Sequence, residues 1–490
     1  MSRKTALLLT IGALLSIGGF LLWSAHFYGI GYPLDDAWIY QTYARNLTQS
    51  GEWAFVPGAP SGGSTGPLWV LFLAAGYLAR VDHFIWSYLL GSAALFGLGG
   101  AGVWGVKRLH PELGNLALLA GAVLIFEWHL VWAAASGMET ALAALLTAAV
   151  LATLFKAGMP PRAWLTIGLA IGIMVWIRPD GILLLAPAGF ALLLEAGKSI
   201  KAKLRDGALI LAGFILPFGL YLLFNQVTAG SIWPNTFYAK QAEYAELQAI
   251  PLLTRYAQQW LAPLTGVGVV LLPGFILSLA ESIRQRAWGR LAAFLWLFGY
   301  LGTFALRLPV TYQHGRYAMP AMPIFFILGL GGTLRWVQSH RQSAQMLPRA
   351  LAKSGLLLIL LVTGLFWGLG AGAFARDVAF IETEMVAASR WIAANTEPDA
   401  RIAAHDIGAL GYFGGRGIID LAGLISPDVI PFIRDEAQLA AYLDSQGVDY
   451  LMTFPDWYPD LVESLPLVYQ TDSALTRQMG HENMAVYRWR

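Results

Sequence analysis

Long apolar stretches recur along residues 1–375 and are separated by short polar loops. A helix needs about 20 apolar residues to cross the hydrocarbon core of a bilayer. Twelve stretches reach or approach that length, at 5–27, 66–80, 84–106, 114–134, 138–156, 162–177, 181–196, 207–228, 262–281, 290–306, 319–337 and 354–375. The pattern predicts a polytopic α-helical membrane protein. The first stretch follows two basic residues, as in a signal peptide, but it is long and lacks a clear cleavage site, so we interpret it as a retained anchor.

Basic residues between the apolar stretches predict the orientation of the chain. Seventeen of the 32 Lys and Arg residues lie in alternate short loops, whereas the loops in between hold only seven. Because short cytoplasmic loops are enriched in Lys and Arg, the first set marks the cytoplasmic side. That set consists of Arg3, Lys4, Lys107, Arg108, Lys156, Arg162, Lys198, Lys201, Lys203, Arg205, Arg284, Arg286, Arg290, Arg335, Arg341, Arg349 and Lys353.

This orientation leaves one apolar stretch too many before Lys107. An N-terminus and a 107–113 loop on the same side require an even number of crossings, yet three candidates precede that loop. The weakest is 66–80, which is short and begins with Gly66-Pro67, so we predict a re-entrant or interfacial helix there. About eleven spans and an outer C-terminus follow.

The pattern changes after residue 375 to a mixture of short helices and strands. One helix is predicted at 381–395, before Pro398, and another at 434–446, before Gly447. Short apolar segments predict strands at 401–404, 417–421, 448–452 and 484–487. We therefore expect residues 1–375 to form the membrane domain and residues 376–490 to form a small α/β domain outside the membrane.

The composition agrees with a membrane protein and excludes several functions. Hydrophobic residues make up 57% of the chain and charged residues only 13%, whereas a soluble domain has about 25% charged residues. The net charge of +2 is too balanced for a protein that binds nucleic acid. The chain has no cysteine, which excludes disulfides, thiolate metal sites and a cysteine nucleophile.

The outer loop at 28–83 carries the most informative polar residues. Asp35 and Asp36 follow the first span and precede the helix-like sequence AWIYQTYARNL. Such a pair can cap the N-terminus of a helix. Two carboxylates at a membrane surface can also supply a general base, alone or with an orienting or metal-binding partner. The residues leave both roles open, and Asp35 and Asp36 are the candidate catalytic residues.

Four further outer segments place charged side chains at the ends of spans. They read Ser136-Gly137-Met138-Glu139, Arg178-Pro179-Asp180-Gly181, Trp233 to Lys240, and Tyr312 to Tyr317. Any one of these side chains can serve only as a cap or as an anchor at the lipid headgroups. Together with the Asp pair they predict a cavity with carboxylates on one wall and cations on another, which suits a hydroxyl nucleophile and an anionic leaving group.

Several of these segments resemble one known family. The loop runs Asp-Asp-Ala-Trp-Ile, Tyr-Ala-Arg-Asn-Leu, Gly-Glu-Trp-Ala-Phe-Val-Pro-Gly and Gly-Ser-Thr-Gly-Pro-Leu-Trp are similar to the first outer loop of GT-C glycosyltransferases. The most similar branch is the arabinofuranosyltransferase-like branch of bacterial enzymes that use polyprenyl-phosphate sugars. The likeness extends to Ser-Gly-Met-Glu-Thr, Arg-Pro-Asp-Gly, Pro-Asn-Thr-Phe-Tyr-Ala-Lys and Gly-Arg-Tyr, and to parts of 405–424 in the C-terminal domain.

The resemblance implies a fold and a reaction. The fold is a GT-C-like helical bundle with outer juxtamembrane helices. The reaction is an inverting transfer from a polyprenyl-phosphate sugar to a hydroxyl of a cell-envelope glycan or glycolipid, on the outer face of the cytoplasmic membrane. An aspartate of the first outer loop acts as the base, which here is Asp35 or Asp36.

Further residues are assigned to the two substrates. The candidate donor phosphate-binding residues are Arg178, Lys240, Arg316 and His314. Arg178 is expected to be the strongest contact, because Pro179 fixes the chain after it and Asp180 can orient it. The candidate substrate-binding residues are Tyr40, Arg45, Glu139, Asp180, Asn235, His405 and Asp406.

Two other functions remain alternatives. A secondary transporter or a flippase for lipid-linked sugars carries polar residues inside its spans, whereas here Glu127 and His129 are the main exceptions to an outer clustering. A scaffold that binds a partner through its outer domain would not need the Asp pair and the cations on one face. The expected partners are the donor, the acceptor and membrane lipid, without nucleic acid. No cofactor is predicted with certainty, and a requirement for a divalent cation stays open.

Overall fold

The computed structural model describes residues 2–490, and most of the chain is helical. The helices that precede the C-terminal domain are α1 Arg3–Phe27, α2 Asp36–Gln49, α3 Pro67–Leu78, α4 His83–Leu109, α5 Leu118–Phe126, α6 Trp128–Ala135, α7 Thr140–Thr153, α8 Pro161–Ile177, α9 Leu185–Leu193, α10 Ile200–Ala229, α11 Asn235–Glu243, α12 Leu252–Gln259, α13 Leu261–Leu264, α14 Val267–Arg284, α15 Trp288–Arg307, α16 Tyr312–Gly315, α17 Met322–His340 and α18 Met346–Ile381. Those of the C-terminal domain are α19 Ala387–Asn395, α20 Glu436–Gln446, α21 Pro459–Val462 and α22 Ala474–Gln478.

Seven helices of the described chain are long and apolar enough to cross a membrane. An eighth span results if α5 and α6, which meet at a bend of 53°, are counted as one. Four shorter apolar helices accompany them: Pro67–Leu78, Thr140–Thr153, Pro161–Ile177 and Pro179–Leu193. The predicted fold class, a polytopic helical membrane protein with a small C-terminal α/β domain, is confirmed. The count of eleven spans stays a prediction.

The helix α3 is too short to cross a bilayer in a straight line. It has 12 residues, which gives a length of about 18 Å at 1.5 Å per residue, against about 30 Å of hydrocarbon. It begins at Pro67 and packs along α2. That α3 lies at the outer face of the membrane as a re-entrant or interfacial helix stays a prediction.

Small residues let α8 and α10 approach each other closely. A Cβ atom at Gly168 of α8 would lie 2.0 Å from the carbonyl oxygen of Ile210, and one at Gly213 of α10 would lie 2.4 Å from that of Leu165. Close backbone contact of this kind is a common way to pack helices in a membrane, where the hydrophobic effect does not drive association. These contacts hold α8 against α10, and Arg178 directly follows the end of α8.

The C-terminal domain is built on a five-stranded mixed sheet. Its strands follow the β1 Ala54–Val56 and β2 Ala59–Pro60 hairpin of the first loop, and they are β3 Arg401–Ala404, β4 Gly417–Asp420, β5 Tyr450–Thr453, β6 Leu467–Gln470 and β7 Ala485–Arg488. The order is β4-β3-β5-β7-β6, with β3 parallel to β4 and β5, and β7 antiparallel to β5 and β6. Four strands match predicted segments, whereas β6 was not predicted.

The C-terminal domain docks on the N-terminal end of α2. Both carboxylate oxygens of Asp35 accept hydrogen bonds from backbone N–H groups, of Gly408 at 2.6 Å and of Ala409 at 2.7 Å. Arg45, near the other end of α2, donates to the carbonyl oxygens of Tyr412 at 2.6 Å and Gly411 at 3.1 Å. These contacts tie the first outer loop to the strand β3 and its following turn.

Candidate active site

A cavity of about 330 Å³ lies where the first turn of α2, the loop after α8, the helix α11 and the segment before α17 meet. Most of its wall is apolar, including Ile39, Met138, Ile182, Leu183, Phe237, Phe304 and Leu308. Seven of the predicted site residues also line it: Asp36, Tyr40, Glu139, Arg178, Asp180, Lys240 and Arg316. All four further segments therefore contribute to one cavity together with the first loop.

Asp36 lies at the centre of the charged group. Its Oδ2 accepts a hydrogen bond from Nη2 of Arg316 and lies 3.6 Å from Nζ of Lys240. Burial would raise the pKa of Asp36, but the guanidinium and the ammonium outweigh burial and hold the pKa well below its ordinary value. The carboxylate is therefore charged at neutral pH.

Arg178 belongs to a second ion-paired group on the neighbouring wall. Its Nη1 donates to Glu139 at 3.1 Å, and its Nη2 donates to Oδ2 of Asp180 at 3.0 Å. Tyr300 donates to the same oxygen of Asp180 at 2.8 Å. Two carboxylates thus already neutralise this one arginine, which is 8% exposed.

Tyr317 links the two groups and was not among the predicted site residues. Its hydroxyl accepts hydrogen bonds from Lys240 at 2.9 Å and from Arg316 at 3.3 Å. Cations also surround its ring, with Arg316 at 5.1 Å, Lys240 at 5.6 Å and Arg178 at 5.8 Å from the centroid. Tyr317 belongs to the Gly-Arg-Tyr segment, but nothing in the sequence signals that three cations converge on it.

Two buried atoms of this site have no hydrogen-bond partner among residues 2–490. They are Nη1 of Arg316, a donor, and Oε2 of Glu139, an acceptor. Buried polar groups are nearly always paired with protein, water or ligand. The site therefore offers one free cationic donor and one free anionic acceptor to a molecule that enters the cavity.

Asp35 does not line the cavity. Its side chain points to the C-terminal domain and accepts the two N–H bonds described above. Burial and the neighbouring carboxylate of Asp406 raise its pKa to about 8, against the N–H bonds, which favour the charged form. Of the two aspartates that the sequence left as alternatives, Asp36 alone reaches the charged group.

Four other predicted substrate-binding residues lie between the domains rather than in the cavity wall. Arg45 binds the C-terminal domain, and Asn235 donates to the carbonyl of Leu424 at 3.3 Å. His405 lies 3.2 Å from Oε1 of Glu243. Burial raises the pKa of Asp406 to about 6, although His405 opposes this shift.

His314 faces away from the cavity. Its Nε2 lies 2.7 Å from Oδ2 of Asp377, and its ring contacts Trp128 and Trp132 edge to face. His314 is separated in this way from the other three candidate phosphate-binding residues. Among residues 2–490, no group of three or more His, Asp or Glu side chains is arranged to hold a metal ion.

One family model matches the chain, over residues 376–487, and it is described as a domain of unknown function, DUF8728. This segment contains the five-stranded sheet. A comparison with curated protein sequences gave no significant match.

Several solved structures share the fold. ArnT from Cupriavidus metallidurans bound to undecaprenyl phosphate matches with a TM-score of 0.58 at 14% identity, over 100% of this chain and 99% of that chain. The Archaeoglobus fulgidus oligosaccharyltransferase in the apo form matches with a TM-score of 0.63 at 11% identity, over 93% and 70%. Arabinofuranosyltransferase AftD from Mycobacteria matches with a TM-score of 0.56 at 18% identity, over 100% of this chain and 42% of that chain.

All three of these proteins are GT-C glycosyltransferases. The likeness covers nearly the whole chain, and it confirms the fold expected from the sequence motifs. Because the identities are 11–18%, the likeness concerns the fold.

Proposed function

We propose that this chain, a polytopic membrane protein with the GT-C fold, is an inverting glycosyltransferase that uses a polyprenyl-phosphate sugar. The observation that carries the proposal is the group of Asp36, Arg316 and Lys240 in a mostly apolar cavity. A carboxylate and two cations are the groups needed to deprotonate a hydroxyl and to hold a departing phosphate. The acceptor is a hydroxyl of a cell-envelope glycan or glycolipid.

Arg316 and Lys240 form the proposed site of the donor phosphate. The unpartnered Nη1 of Arg316 is buried in the cavity wall, so a phosphate oxygen there gains a charge-assisted hydrogen bond in a nearly dry site. Phe237 and Phe304 provide an apolar wall for the first units of the lipid. The shared fold with ArnT, whose structure was solved with undecaprenyl phosphate, supports a polyprenyl donor.

Asp36 is the proposed general base. The donor phosphate takes Lys240 and the free nitrogen of Arg316 as partners, which leaves the carboxylate available to the acceptor. As the acceptor oxygen attacks the anomeric carbon, its proton passes to Asp36, and the bond between that carbon and the phosphate oxygen breaks. The electron pair leaves with the phosphate, whose charge the two cations stabilise. Attack from the face opposite to the phosphate inverts the configuration.

Glu139 is the proposed contact to a sugar hydroxyl. Arg178 holds one of its oxygens, while the other is buried and has no partner within residues 2–490. A hydroxyl of the sugar is a donor that would satisfy this acceptor. Tyr40 lines the same part of the cavity. This assignment makes Arg178 an orienting residue for Glu139 rather than the main phosphate contact.

The cavity is proposed to open on the outer face of the cytoplasmic membrane, as the alternation of basic loops indicates. A protease-sensitive tag after Arg490 should then be removed by protease added to intact cells. A tag inserted at Gly197, in a basic loop, should be protected and serves as the control. Protection of the C-terminal tag would contradict this orientation, since the cavity and the C-terminal domain lie at the same end of the bundle.

Transfer itself is tested with the purified chain and radiolabelled polyprenyl-phosphate sugars, with cell-envelope glycans and glycolipids as acceptors. We expect a labelled product from one donor, with inverted anomeric configuration. A transporter or flippase would instead move the labelled lipid across proteoliposomes without forming a glycosidic bond. Movement of donor without product, from every donor offered, would count against the glycosyltransferase and for this alternative.

A further inference from the structure

The chain adopts a left-handed turn directly before Arg316. Gln313 has φ 51° and ψ 49°, and His314 has φ 58° and ψ 28°. Gly315 follows with φ 70°. Glycine adopts this conformation freely, but side chains with a Cβ atom do so at a cost in energy. Two consecutive non-glycine residues in this region persist only where the surrounding structure holds them there.

Contacts of the His314 side chain keep the turn in this conformation. Its Nε2 lies 2.7 Å from Oδ2 of Asp377, and the same oxygen accepts a hydrogen bond from Nε1 of Trp132 at 2.8 Å. The imidazole ring meets Trp128 at 5.1 Å and Trp132 at 5.5 Å between centroids, both edge to face. Aromatic pairs with this geometry are favourable. The three residues His314, Asp377 and Trp132 are called the His314 clamp below.

The turn determines where Arg316 lies. Arg316 is two residues after His314 and is 5% exposed, with its guanidinium on Asp36 and above the ring of Tyr317. The turn therefore presents His314 to α6 and α18 and Arg316 to the cavity. If the turn relaxed to an ordinary backbone conformation, the chain would leave Thr311 in another direction and Arg316 would not reach Asp36.

We propose that the His314 clamp is a positioning device for Arg316: its contacts hold the strained turn, and the turn holds the guanidinium on the cavity side. His314 and Asp377 are positioning residues, because neither lines the cavity. The effect on catalysis rests on the proposed function. The effect on the turn does not rest on the proposed function. Catalytic activity and the conformation of the turn are therefore measured separately.

The test uses two substitutions that separate strain from packing. His314→Ala removes the clamp and leaves a residue that resists the left-handed conformation, so kcat/KM should fall about ten- to hundredfold, as for a small misplacement of an active-site group. His314→Gly removes even more of the side chain but permits the turn at no cost. We therefore expect His314→Gly to lose several-fold less activity than His314→Ala. Equal losses, or a larger loss for glycine, would show that His314 only fills space.

A double-mutant cycle tests whether the clamp acts through Arg316. In an Arg316→Gln background, His314→Ala should cause little further loss of kcat/KM, because the group that it positions is already gone. Full additivity of the two substitutions would overturn the proposal. His481→Ala, a half-exposed histidine of the C-terminal domain, is the control and should change nothing.

Hydrogen exchange of the amides at 312–317 provides a readout that needs no substrate. His314→Ala should speed their exchange at least tenfold relative to the parent, while exchange in α17 stays slow. Unchanged exchange at 312–317 would overturn the clamp. Faster exchange in His314→Ala, when the parent protein itself transfers no sugar, would uphold the clamp and count only against the proposed function.

Discussion

Replacing Asp36 by Asn is expected to lower the turnover number of sugar transfer by about 10²- to 10⁴-fold, the usual contribution of a general base. Asparagine has nearly the same size and keeps one oxygen for Arg316, but it does not accept the proton of the acceptor hydroxyl. Binding of the donor should remain, since Arg316 and Lys240 are intact. Turnover is measured with purified protein and labelled donor, and binding is measured with the unlabelled polyprenyl phosphate.

Asp35→Asn separates the two neighbouring aspartates. It replaces a carboxylate oxygen that accepts the N–H of Gly408 or Ala409 by an amide nitrogen, so one buried N–H loses its acceptor. The main effect should be a lower midpoint of thermal unfolding, with a moderate loss of turnover. Asp472→Asn, at a side chain that is 89% exposed, is the control. Full turnover of Asp36→Asn together with a folded but inactive Asp35→Asn would reverse the assignment.

Arg316→Gln is expected to impair donor binding, whereas Arg178→Gln is expected to impair the stability of the protein. Loss of a charge-assisted hydrogen bond of about 1.5–3 kcal/mol should weaken binding of the donor phosphate about ten- to hundredfold in Arg316→Gln. Arg178→Gln removes the cation that Glu139 and Asp180 share, and breaking a buried ion pair costs about 3–5 kcal/mol of stability. Its largest effect should therefore be on the thermal unfolding of the protein.

Titration with polyprenyl phosphate and thermal scans of the same samples distinguish the two cases. Arg477→Gln, at an arginine that is 53% exposed, should leave both measurements unchanged. Donor binding that depends on Arg178 and not on Arg316, in a protein of unchanged stability, would restore Arg178 as the main phosphate contact. That ranking is the one that the sequence alone favoured.

The sequence grouped several segments that the structure brings to one cavity, because local patterns of apolar and basic residues predict membrane topology. Basic loops assign each polar segment to one side of the membrane, and this reasoning grouped Glu139, Arg178, Lys240 and Arg316 with the first loop. The structure brings these four residues and Asp36 to one cavity. The predicted side of the membrane was thus sufficient to group the residues that line the cavity, but it also included His314, which lies elsewhere.

The direction of each side chain was beyond the reach of the sequence. Asp35 and Asp36 are adjacent, yet one contacts the C-terminal domain and the other contacts Arg316. Successive residues of a helix point about 100° apart around its axis. A small rotation of α2 about that axis therefore decides which of the two aspartates enters the cavity. His314 was grouped with Arg316 for the same reason, whereas the left-handed turn between them sends it to Asp377.

Pairing with another strand accounts for β6, the strand that was not predicted. The strand β6 has four residues, and it is a strand because it pairs with β7 at the edge of the sheet. Its own residues, Leu467 to Gln470, are mostly exposed and give no alternation of apolar and polar positions. By contrast, β3 was predicted at its observed bounds, because it is an interior strand whose apolar residues are buried.

The contact between Asp35 and the C-terminal domain joins positions 373 and 374 residues apart in the chain. During synthesis, α2 reaches the membrane long before the amides of Gly408 and Ala409 exist. A nascent chain that stops before residue 400 already carries the charged residues of the cavity, but it lacks the two N–H groups that bind Asp35 beside Asp36. The order of synthesis therefore leaves the first turn of α2 without these two hydrogen bonds until the segment that holds Gly408 and Ala409 has been made and has folded against it.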